Sequence, residues 1–310
     1  MSGDGQESLV HSVKQRLMNL SVRRGETFHL LLMRYGVERL LYRLMRSPHA
    51  DAFVLKGAML FAIWADKPHR PTQDLDLLGL GDPSIEHLRR VFHEICVTTV
   101  EPDGVVFDPA SVAAHSIREE SVYEGIRIKI LATLGKARIP LQIDVGYGDA
   151  ITPEPRSLAF GPLLDLPAPI IRTYPPETVI AEKFEAMLVL GLANSRMKDY
   201  FDIWTLCRTM AFDGEVLAHA IGETLKRRRT TLPGDTPVGL SEAFGSDPAK
   251  RAQWGAFLRK MGVADAPDLP LVVTRLREFL VPLIDAARDG RDIARDWPAG
   301  GPWSRSRPDA

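Results

Sequence analysis

The sequence predicts an α+β fold in which a β-sheet with flanking helices is followed by a helical domain. Two observations support this class. Segments with the apolar alternation and β-branched content of strands lie before residue 150, separated by glycine, proline or charged turns. Beyond residue 176, apolar residues recur instead at helical spacing. The 310 residues are 45% hydrophobic and 25% charged, which is typical of globular proteins and excludes wholesale disorder.

The same patterns predict how the chain is divided. We assign residues 1–150 to the core domain with its N-terminal helices and residues 151–176, which are rich in proline, to an irregular linker. Residues 177–290 form the predicted helical domain. Residues 291–310 are rich in proline, glycine, serine and arginine, so we predict a disordered tail.

Composition argues against several classes of protein. No apolar run approaches the roughly 20 residues that cross a bilayer, and the N-terminus lacks a signal-peptide pattern, so we expect a cytoplasmic protein without membrane contact. The net charge of −1 argues against a strongly basic protein that coats nucleic acid. Two distant cysteines, Cys96 and Cys207, make a disulfide framework improbable and are interpreted as packing residues.

Two N-terminal helices are predicted at residues 7–22 and 26–46 from their apolar periodicity. Several arginines of the second helix lie off its apolar stripe. Three basic clusters are dense enough to attract phosphate, although each cluster taken alone favours a solvated helix face. The clusters are Arg23-Arg24, Arg34 with Arg39, Arg43 and Arg46, and Lys226 to Arg229.

A candidate phosphate site follows. We predict a strand at residues 52–55, a turn at Lys56-Gly57 and a short helix from Ala58 to about Ala65. Backbone N–H groups and the dipole at such a helix start attract anions. Arg70, in the next loop, is placed to reach a phosphate with its planar guanidinium.

Asp74 and Asp76 alternate with leucines in the next predicted strand. Successive strand residues point to opposite faces, so both carboxylates lie on one face while Leu75 and Leu77 enter the core. Two carboxylates held together favour a compensating cation, and Mg²⁺ suits such hard oxygen ligands and accompanies substrate phosphates. The pattern therefore indicates phosphoryl or nucleotidyl transfer. The alternative is an ordinary strand end at the surface.

A third carboxylate is predicted further along the chain. After a helix at residues 84–96, strands are expected at 105–107, 111–118, 125–134 and 139–145. Asp144 is the single charge in the last of these. A buried aspartate needs a partner, so Asp144 is either paired or a third metal ligand beside Asp74 and Asp76. The alternative is a surface aspartate at a strand end.

In the second half, a helix is predicted from Pro176 to Leu190, with Lys183 near its centre. A lysine beside carboxylates and a triphosphate would stabilise charge in a transition state. The alternative is pairing with neighbouring glutamates or simple solvation. Asp199 and Asp202 lie on nearly one face of the next helix, where Asp199 is also consistent with a helix-dipole interaction alone. Further helices are predicted at about 215–228, 247–261 and 268–288.

Six short motifs in this order resemble the AbiEii/AbiGii (MenT-like) nucleotidyltransferase toxins, and the resemblance covers roughly residues 25–215. Each motif alone is weak, whereas the ordered set is specific. The motifs are Glu38-Arg39-Leu40-Leu41-Tyr42-Arg43-Leu44, Val54-Leu55-Lys56-Gly57, Arg70-Pro71-Thr72-Gln73-Asp74-Leu75-Asp76, Gln142-Ile143-Asp144-Val145-Gly146, Glu182-Lys183, and Arg196-Met197-Lys198-Asp199-Tyr200-Phe201-Asp202.

The resemblance implies a polymerase-β-type nucleotidyltransferase core, with a mixed sheet and flanking helices, followed by a helical domain. It further implies a toxin that transfers a nucleoside monophosphate from an NTP to the tRNA acceptor end with Mg²⁺, paired with an AbiEi-like winged-helix antitoxin. Catalytic roles fall to Asp74, Asp76, Lys183, Asp199 and Asp202; metal binding to Asp74, Asp76 and Asp144; and nucleotide binding to Lys56, Gly57, Arg70, Thr72 and Lys198.

One motif departs from the resemblance. Gly57 is followed by Ala58 and Met59, where related proteins commonly carry Gly-Ser or Lys-Gly-Gly, so no hydroxyl is available there. Two alternatives therefore remain: the same fold modifying a protein or small-molecule hydroxyl, and a noncatalytic nucleotide-binding module. Thr72 is a candidate site for inactivation by phosphorylation, since about two added negative charges would repel a triphosphate.

Overall fold

A computed structural model describes residues 3–64, 72, 74–118, 124–263, 265–288 and 293–305. The chain divides into two compact units. The first comprises Met1–Gly148 and Arg156–Tyr174, and the second comprises Asp149–Pro155 and Pro175–Ala310. The predicted α+β class is confirmed, because the first unit holds a mixed sheet with helices and the second is mainly helical.

The first unit is built on a seven-stranded sheet with the spatial order β3-β4-β5-β2-β1-β7-β6. The pairs β2–β5 and β1–β7 are parallel, and the remaining neighbours are antiparallel. The strands are β1 (Phe53–Lys56), β2 (Leu75–Gly79), β3 (Val105–Arg118), β4 (Glu124–Leu134), β5 (Ala137–Tyr147), β6 (Arg156–Ala159) and β7 (Ile170–Thr173).

Alternation in the central strands separates the core from a polar face. Leu75 and Leu77 of β2 are buried, as are Ile143 and Val145 of β5, whereas the residues between them are only half-buried. Since a strand has a side-chain period of two, one face of the sheet carries the core and the other presents polar groups. The prediction that the leucines beside Asp76 enter the core is confirmed.

Among the residues of the first unit that the structure describes, four α-helices accompany this sheet: α1 (Gly3–Arg24), α2 (Phe28–Arg46), α3 (Phe61–Trp64) and α4 (Ile85–Val97). Side chains cap two of them, since Thr27 accepts a hydrogen bond from the Leu30 N–H and Ser84 from the His87 N–H. Residues Gly57–Leu60 form a 3-10 turn rather than the start of an α-helix. The predicted helix dipole beside Gly57 is therefore reduced to that of a short turn.

The prediction of an exposed arginine cluster on α2 is wrong, both as a surface that attracts phosphate and as a solvated helix face. Arg34 is 7% exposed, Arg39 1% and Arg43 7%, and only Arg46 is exposed. Each buried guanidinium has an anionic partner, which makes its burial tolerable. The partners are Glu26 for Arg34 at 3.0 Å, Glu38 for Arg39 at 2.5 Å, and Asp103 for Arg43 at 2.7 Å. These three arginines pair with acidic residues inside the first unit and do not form a phosphate-binding surface.

The described part of the second unit contains six α-helices and a small three-stranded sheet. Helix starts carry the expected aspartate caps at Asp213 and Asp247. The elements are α5 (Pro176–Leu190), α6 (Met197–Thr209), β8 (Phe212–Asp213), α7 (Gly214–Arg228), α8 (Glu242–Ser246), α9 (Pro248–Met261), α10 (Leu269–Arg288), β9 (Arg295–Trp297) and β10 (Ser304–Arg305).

Residues 151–176, predicted to be an irregular linker, contain two strands of the first unit's sheet. Residues 156–159 and 170–173 are strands β6 and β7, and β7 pairs in parallel with β1 in the central part of the sheet. Glu38 and Arg39 of α2 hold the loop between these strands through the Leu163 N–H and the Pro167 carbonyl. The proline content concealed two short strands, of which β6 lies at the edge of the sheet, where proline nearby is tolerated.

The predicted disorder of the C-terminal tail is wrong for residues 293–305. Trp297 is fully buried and donates a hydrogen bond from Nε1 to the Cys207 carbonyl at 2.6 Å. Its ring lies 4.8 Å from that of Phe279, and Trp303 stacks on the same phenylalanine at 5.7 Å. Two tryptophans offset the low hydrophobicity of their neighbours, so this segment completes the core of the second unit. Residues 306–310 lie outside the described part of the chain.

Replacing Trp297 with alanine is expected to lower the free energy of unfolding by about 3–5 kcal/mol, because a large buried side chain is removed and leaves a cavity. Chemical denaturation would measure the change. Arg305→Ala, at an exposed position of the same segment, is the control and should change stability by less than about 0.5 kcal/mol. Equal effects of the two substitutions would contradict a structural role for Trp297.

Both cysteines are free and buried, as predicted for packing residues. Burial raises the pKa of each thiol to about 12. Among the helices of the described residues, none is long and apolar enough to cross a membrane.

Candidate active site

A row of four charged residues crosses the centre of the first unit's sheet. Asp76 of β2 lies opposite Lys56 of β1 on one side and opposite Asp144 of β5 on the other. Asp144 in turn lies opposite Arg127 of β4. Directly opposed residues of neighbouring strands share a face, so all four side chains belong to the polar face of the sheet. The signs run positive, negative, negative, positive.

The two carboxylates in the middle of this row come from strands that are 68 positions apart in the chain and run in parallel. Their backbones are held at the strand spacing of about 4.8 Å. Asp76 is half-buried, and the Asp144 side chain is 17% exposed, so water screens their repulsion incompletely. The structure therefore brings together the second and third predicted carboxylates, at the place where a cation is needed.

Arg127 supplies one such cation. Its guanidinium donates two hydrogen bonds to Asp144, from Nε to Oδ1 at 2.8 Å and from Nη2 to Oδ2 at 2.7 Å. This hydrogen bonding raises the pKa of Arg127, burial opposes the rise, and the charges of Asp144, Asp74 and Asp76 increase it further. All three predicted carboxylates thus act on one guanidinium. The expectation that Asp144 is paired or metal-bound is met by an ion pair.

Asp74 lies on the same face, two residues before Asp76, and is exposed. Gln142 of β5 donates a hydrogen bond from Nε2 to Asp74 Oδ1 at 3.2 Å. Thr72 is half-buried, whereas Arg70, a predicted phosphate ligand, lies outside the described residues. In the part of the chain that the structure describes, no three or more His, Cys, Asp or Glu side chains form a ready-made metal cluster.

Gly57 brings the backbone directly against the Asp76 carboxylate. Its φ of +73° lies in the left-handed region, which favours glycine. A Cβ at this position would lie 2.7 Å from Asp76 Cγ and would overlap the carboxylate. The Lys56 ammonium, one residue earlier, lies 5.7 Å from the centroid of the Tyr174 ring. The predicted Lys56-Gly57 turn therefore adjoins the carboxylates, as the motif order suggested.

Gly57→Ala is expected to reduce activity by at least about tenfold and stability by about 1–3 kcal/mol, because the methyl group displaces Asp76 in addition to straining the backbone. Gly25→Ala is the matched control: its φ is +65°, and nothing lies within 4 Å of a Cβ there. The control carries the same backbone strain without the overlap. Enzyme assays and thermal unfolding of both variants would separate the two contributions, and equal loss of activity would contradict a special role for Gly57.

The second unit holds a separate network of buried charges. The Lys183 ammonium of α5 lies 2.6 Å from Asp199 Oδ1 and 2.9 Å from Asp202 Oδ2, both on α6. Neither aspartate has any exposed surface, and the Lys183 side chain is 14% exposed. Arg196 Nε lies 2.7 Å from the other oxygen of Asp199. Two cations thus balance two buried anions.

The structure therefore brings together three of the predicted catalytic residues, with Lys183 within ion-pair distance of both Asp199 and Asp202. Because Lys183 pairs with these two aspartates, the alternatives of simple solvation or of pairing with the neighbouring glutamates alone are wrong. Lys198, predicted to bind nucleotide, is exposed on α6 beside this network. Arg196 was quoted in a motif but received no role, and its spacing of three residues before Asp199 was the available signal.

A family model described as the nucleotidyl transferase AbiEii toxin of type IV toxin–antitoxin systems matches residues 39–287 of the chain. The chain belongs to this family. The four charged residues of the row on the sheet and the four of the Lys183 network all lie within this matched range. Family membership makes the chain a nucleotidyltransferase, and it implies a nucleoside triphosphate substrate and an antitoxin partner.

Two crystal structures are similar to this AbiEii protein. One is JHP933 from Helicobacter pylori, at 16% identity and a TM-score of 0.45, covering 81% of this chain and 90% of that chain. The other is a candidate nucleotidyltransferase from H. pylori, also at 16% identity and a TM-score of 0.45, covering 82% and 95%. Comparison with curated proteins gives no match. The family assignment rests on the sequence match.

The predicted basic cluster Lys226 to Arg229 of the AbiEii protein is only partly exposed at the surface. The Arg228 side chain is 15% exposed and lies 2.9 Å from both Asp149 and Glu185. The nearby acids raise the pKa of Arg228, against the opposing effect of burial. Arg228 therefore ties the segment after β5 to α5, whereas Lys226, Arg227 and Arg229 are exposed.

Arg127 is the residue that sequence reasoning missed. A signal was present: the two-residue turn Gly135-Lys136 joins β4 and β5, and such a turn fixes the register of a hairpin. Counting back from that turn places Arg127 opposite Asp144. Its role as the partner of a predicted metal ligand could thus have been anticipated.

Proposed function

We propose that this AbiEii protein transfers a nucleoside monophosphate from an NTP to the 3′ hydroxyl of tRNA, with release of pyrophosphate, and so blocks translation. The observation that carries the proposal is the pair Asp76–Asp144, opposed on the polar face of the sheet with the Gly57 backbone against Asp76. In a family of nucleotidyltransferases, facing carboxylates beside a glycine turn support the binding of a triphosphate and its cation.

The residues present fit a divalent cation. Asp74 and Asp76 offer oxygen atoms on one face, one exposed and one half-buried, and Asp144 lies opposite Asp76 on the next strand. Hard oxygen ligands in this number suit Mg²⁺, which keeps part of its coordination for water and phosphate. When bound, Mg²⁺ would neutralise the triphosphate and lower the pKa of the attacking hydroxyl. We propose Asp74 and Asp76 as its principal ligands and Asp144 as the third.

The remaining residues of this face act on phosphate. Lys56 lies opposite Asp76 in the row, and the Gly57 backbone adjoins the Asp76 carboxylate, so the Lys56 ammonium and the Gly57 N–H are proposed to hold phosphate oxygens. Arg70 and Thr72 are proposed to contribute from the segment that precedes β2. Because the turn after Gly57 is short, backbone hydrogen bonds rather than a helix dipole support this proposal.

Lys183 is proposed to act on the reacting phosphates, with Asp199 and Asp202 fixing the position of its ammonium. Their two short contacts hold the lysine in one place, which favours electrostatic stabilisation because no reorganisation is needed during the reaction. Lys198, exposed on the same helix, is proposed to contact the nucleotide or the RNA backbone.

The proposal is tested by incubating purified protein with Mg²⁺, tRNA and each of the four α-labelled NTPs in turn. The expected result is label at the tRNA 3′ end with at least one NTP, and none after periodate oxidation of that end. Label in protein instead would identify a hydroxyl of a protein as the acceptor. Nucleotide binding by calorimetry without pyrophosphate release would identify a noncatalytic module, and either outcome contradicts tRNA transfer.

We also propose that the antitoxin partner is an AbiEi-like winged-helix protein and that the reaction takes place in the cytoplasm, where tRNA and NTPs are available. Thr72, half-buried two residues before Asp74, is proposed as a place where phosphorylation would inactivate the site. Stoichiometric phosphorylation at Thr72 with unchanged activity would contradict that role.

A further inference from the structure

We propose that Arg127 is an internal counterion that competes with the divalent cation for Asp144: it holds this carboxylate in the cation-free protein and releases it when the cation binds. The inference rests on the proposed function, because it requires a cation site at Asp76. It assigns a positioning role to a residue that neither the motifs nor the family description includes.

The Arg127–Asp144 pair has the geometry of a strong but replaceable ion pair. Both carboxylate oxygens accept a hydrogen bond, at 2.8 and 2.7 Å, and a two-point contact of this kind fixes the plane of the carboxylate. That plane is turned toward β4, on which Arg127 lies. Asp76 of β2 lies opposite Asp144 on the other side, so Asp144 has a cationic neighbour on one strand and an anionic neighbour on the other.

A divalent cation shared by Asp76 and Asp144 would require Asp144 to turn toward β2. The guanidinium and the cation carry charge of the same sign, so both cannot contact the same two oxygens without strong repulsion. Water weakens this repulsion only in part, since Asp144 is 17% exposed. Cation binding must therefore work against the existing ion pair, and its affinity must be lower than the carboxylates alone would give.

The Arg127 side chain is held by Asp144 but is exposed enough to move away from it. Its two hydrogen bonds to Asp144 hold the guanidinium in place while no cation is bound. At the same time its side chain is 35% exposed, twice the exposed fraction of Asp144. A long, partly exposed side chain can move its charged end into water at small cost. Once released, it lies on the face where phosphate is expected.

The test measures binding of Mn²⁺ alone, without nucleotide or RNA, by electron paramagnetic resonance of the free ion. We expect Arg127→Gln to bind Mn²⁺ about tenfold more tightly than the natural protein, which corresponds to about 1.4 kcal/mol. Glutamine keeps a hydrogen-bond donor for Asp144 but removes the charge. Arg127→Lys keeps the charge without the two-point contact, so its affinity should fall between the two.

Arg275→Gln is the matched control. Arg275 is 36% exposed, like Arg127 at 35%, and pairs with Glu278 at 3.2 Å in the other unit, so its replacement removes the same charge from a similarly exposed arginine. Its Mn²⁺ affinity should equal that of the natural protein. Thermal unfolding of every variant confirms that the fold is retained before affinities are compared.

Asp76→Asn separates this inference from the proposed function. If Asp76→Asn weakens Mn²⁺ binding but Arg127→Gln binds no more tightly than the natural protein, the cation site is correct and the competition is wrong. If Asp76→Asn binds Mn²⁺ as the natural protein does, the cation site itself is wrong and the inference falls with it. Tighter binding in Arg127→Gln that disappears in Arg127→Gln/Asp144→Asn supports the inference.

Discussion

Asp76→Asn is expected to lower the rate of nucleotide transfer by about 1,000-fold or more, on the scale of losing a preorganised electrostatic contact in a transition state. Asp76 is the residue on which the described features of the first unit's site converge. It lies opposite both Asp144 and Lys56, and the Gly57 backbone adjoins its carboxylate. Asparagine keeps the shape of the side chain but removes the charge that the cation requires.

The loss should occur without unfolding. Asp76 is half-buried and faces another carboxylate, so removing its charge relieves a repulsion while weakening its attraction to neighbouring cations. We expect the free energy of unfolding to change by less than about 1 kcal/mol. Steady-state kinetics with labelled NTP, together with denaturation curves, would measure both quantities.

Two further variants serve as a control and a comparison for the rate of Asp76→Asn. Asp165→Asn, at an exposed position of the same unit, should leave the rate unchanged. Asp74→Asn should cause a smaller loss than Asp76→Asn, because Asp74 is exposed and already engaged by Gln142. A rate for Asp76→Asn within about threefold of the natural rate would contradict the proposed site, since such a factor is below 1 kcal/mol.

Lys183→Met is expected to reduce the free energy of unfolding by about 3–5 kcal/mol, the cost typical of breaking a buried ion pair from one side. The Lys183 ammonium contacts two aspartates that have no exposed surface. Methionine fills similar volume but removes the ammonium from both aspartates, of which Asp199 keeps its contact with Arg196. The effect therefore comes from uncompensated charge and not from a cavity.

A second substitution identifies the cause. In Lys183→Met/Asp202→Asn, Asp199 still has Arg196 at 2.7 Å, so charge is balanced and most of the lost stability should return. In Lys183→Met/Asp199→Asn, Asp202 loses the ammonium while Arg196 loses its carboxylate, so less stability should return. Denaturation of the four proteins gives the coupling energies directly. Equal recovery in both double variants would contradict this account of the network.

The same series separates structure from catalysis. If Lys183→Met/Asp202→Asn folds stably and is inactive, Lys183 or Asp202 is needed for the reaction itself. If it is stable and active, the network serves the fold of the second unit, and the proposed catalytic role of Lys183 is wrong. Lys183→Arg adds a further check, because it keeps the charge but changes the geometry of the contact.

Local patterns predicted the secondary structure because they depend on near neighbours. The helix ending at Ser47-Pro48 and the one beginning after Ser84 follow from capping and proline chemistry, which a few residues decide. The placement of Asp76 between buried leucines follows from strand alternation. The predictions failed where a distant partner reversed a local tendency. Arg39 donates a hydrogen bond to the distant Pro167 carbonyl, Arg43 pairs with Asp103, and Trp297 is held by Phe279.

What the sequence determined by itself was the α+β class, most helices and strands, and the candidate residues Asp74, Asp76, Asp144, Lys183, Asp199 and Asp202. What only the tertiary structure decided was which of these meet. Asp76 and Asp144 face each other through a parallel pairing of strands far apart in the chain, and Lys183 reaches Asp199 and Asp202 from a different helix. Parallel pairing leaves no tight turn from which a register can be counted, and helix packing depends on side chains from many segments at once.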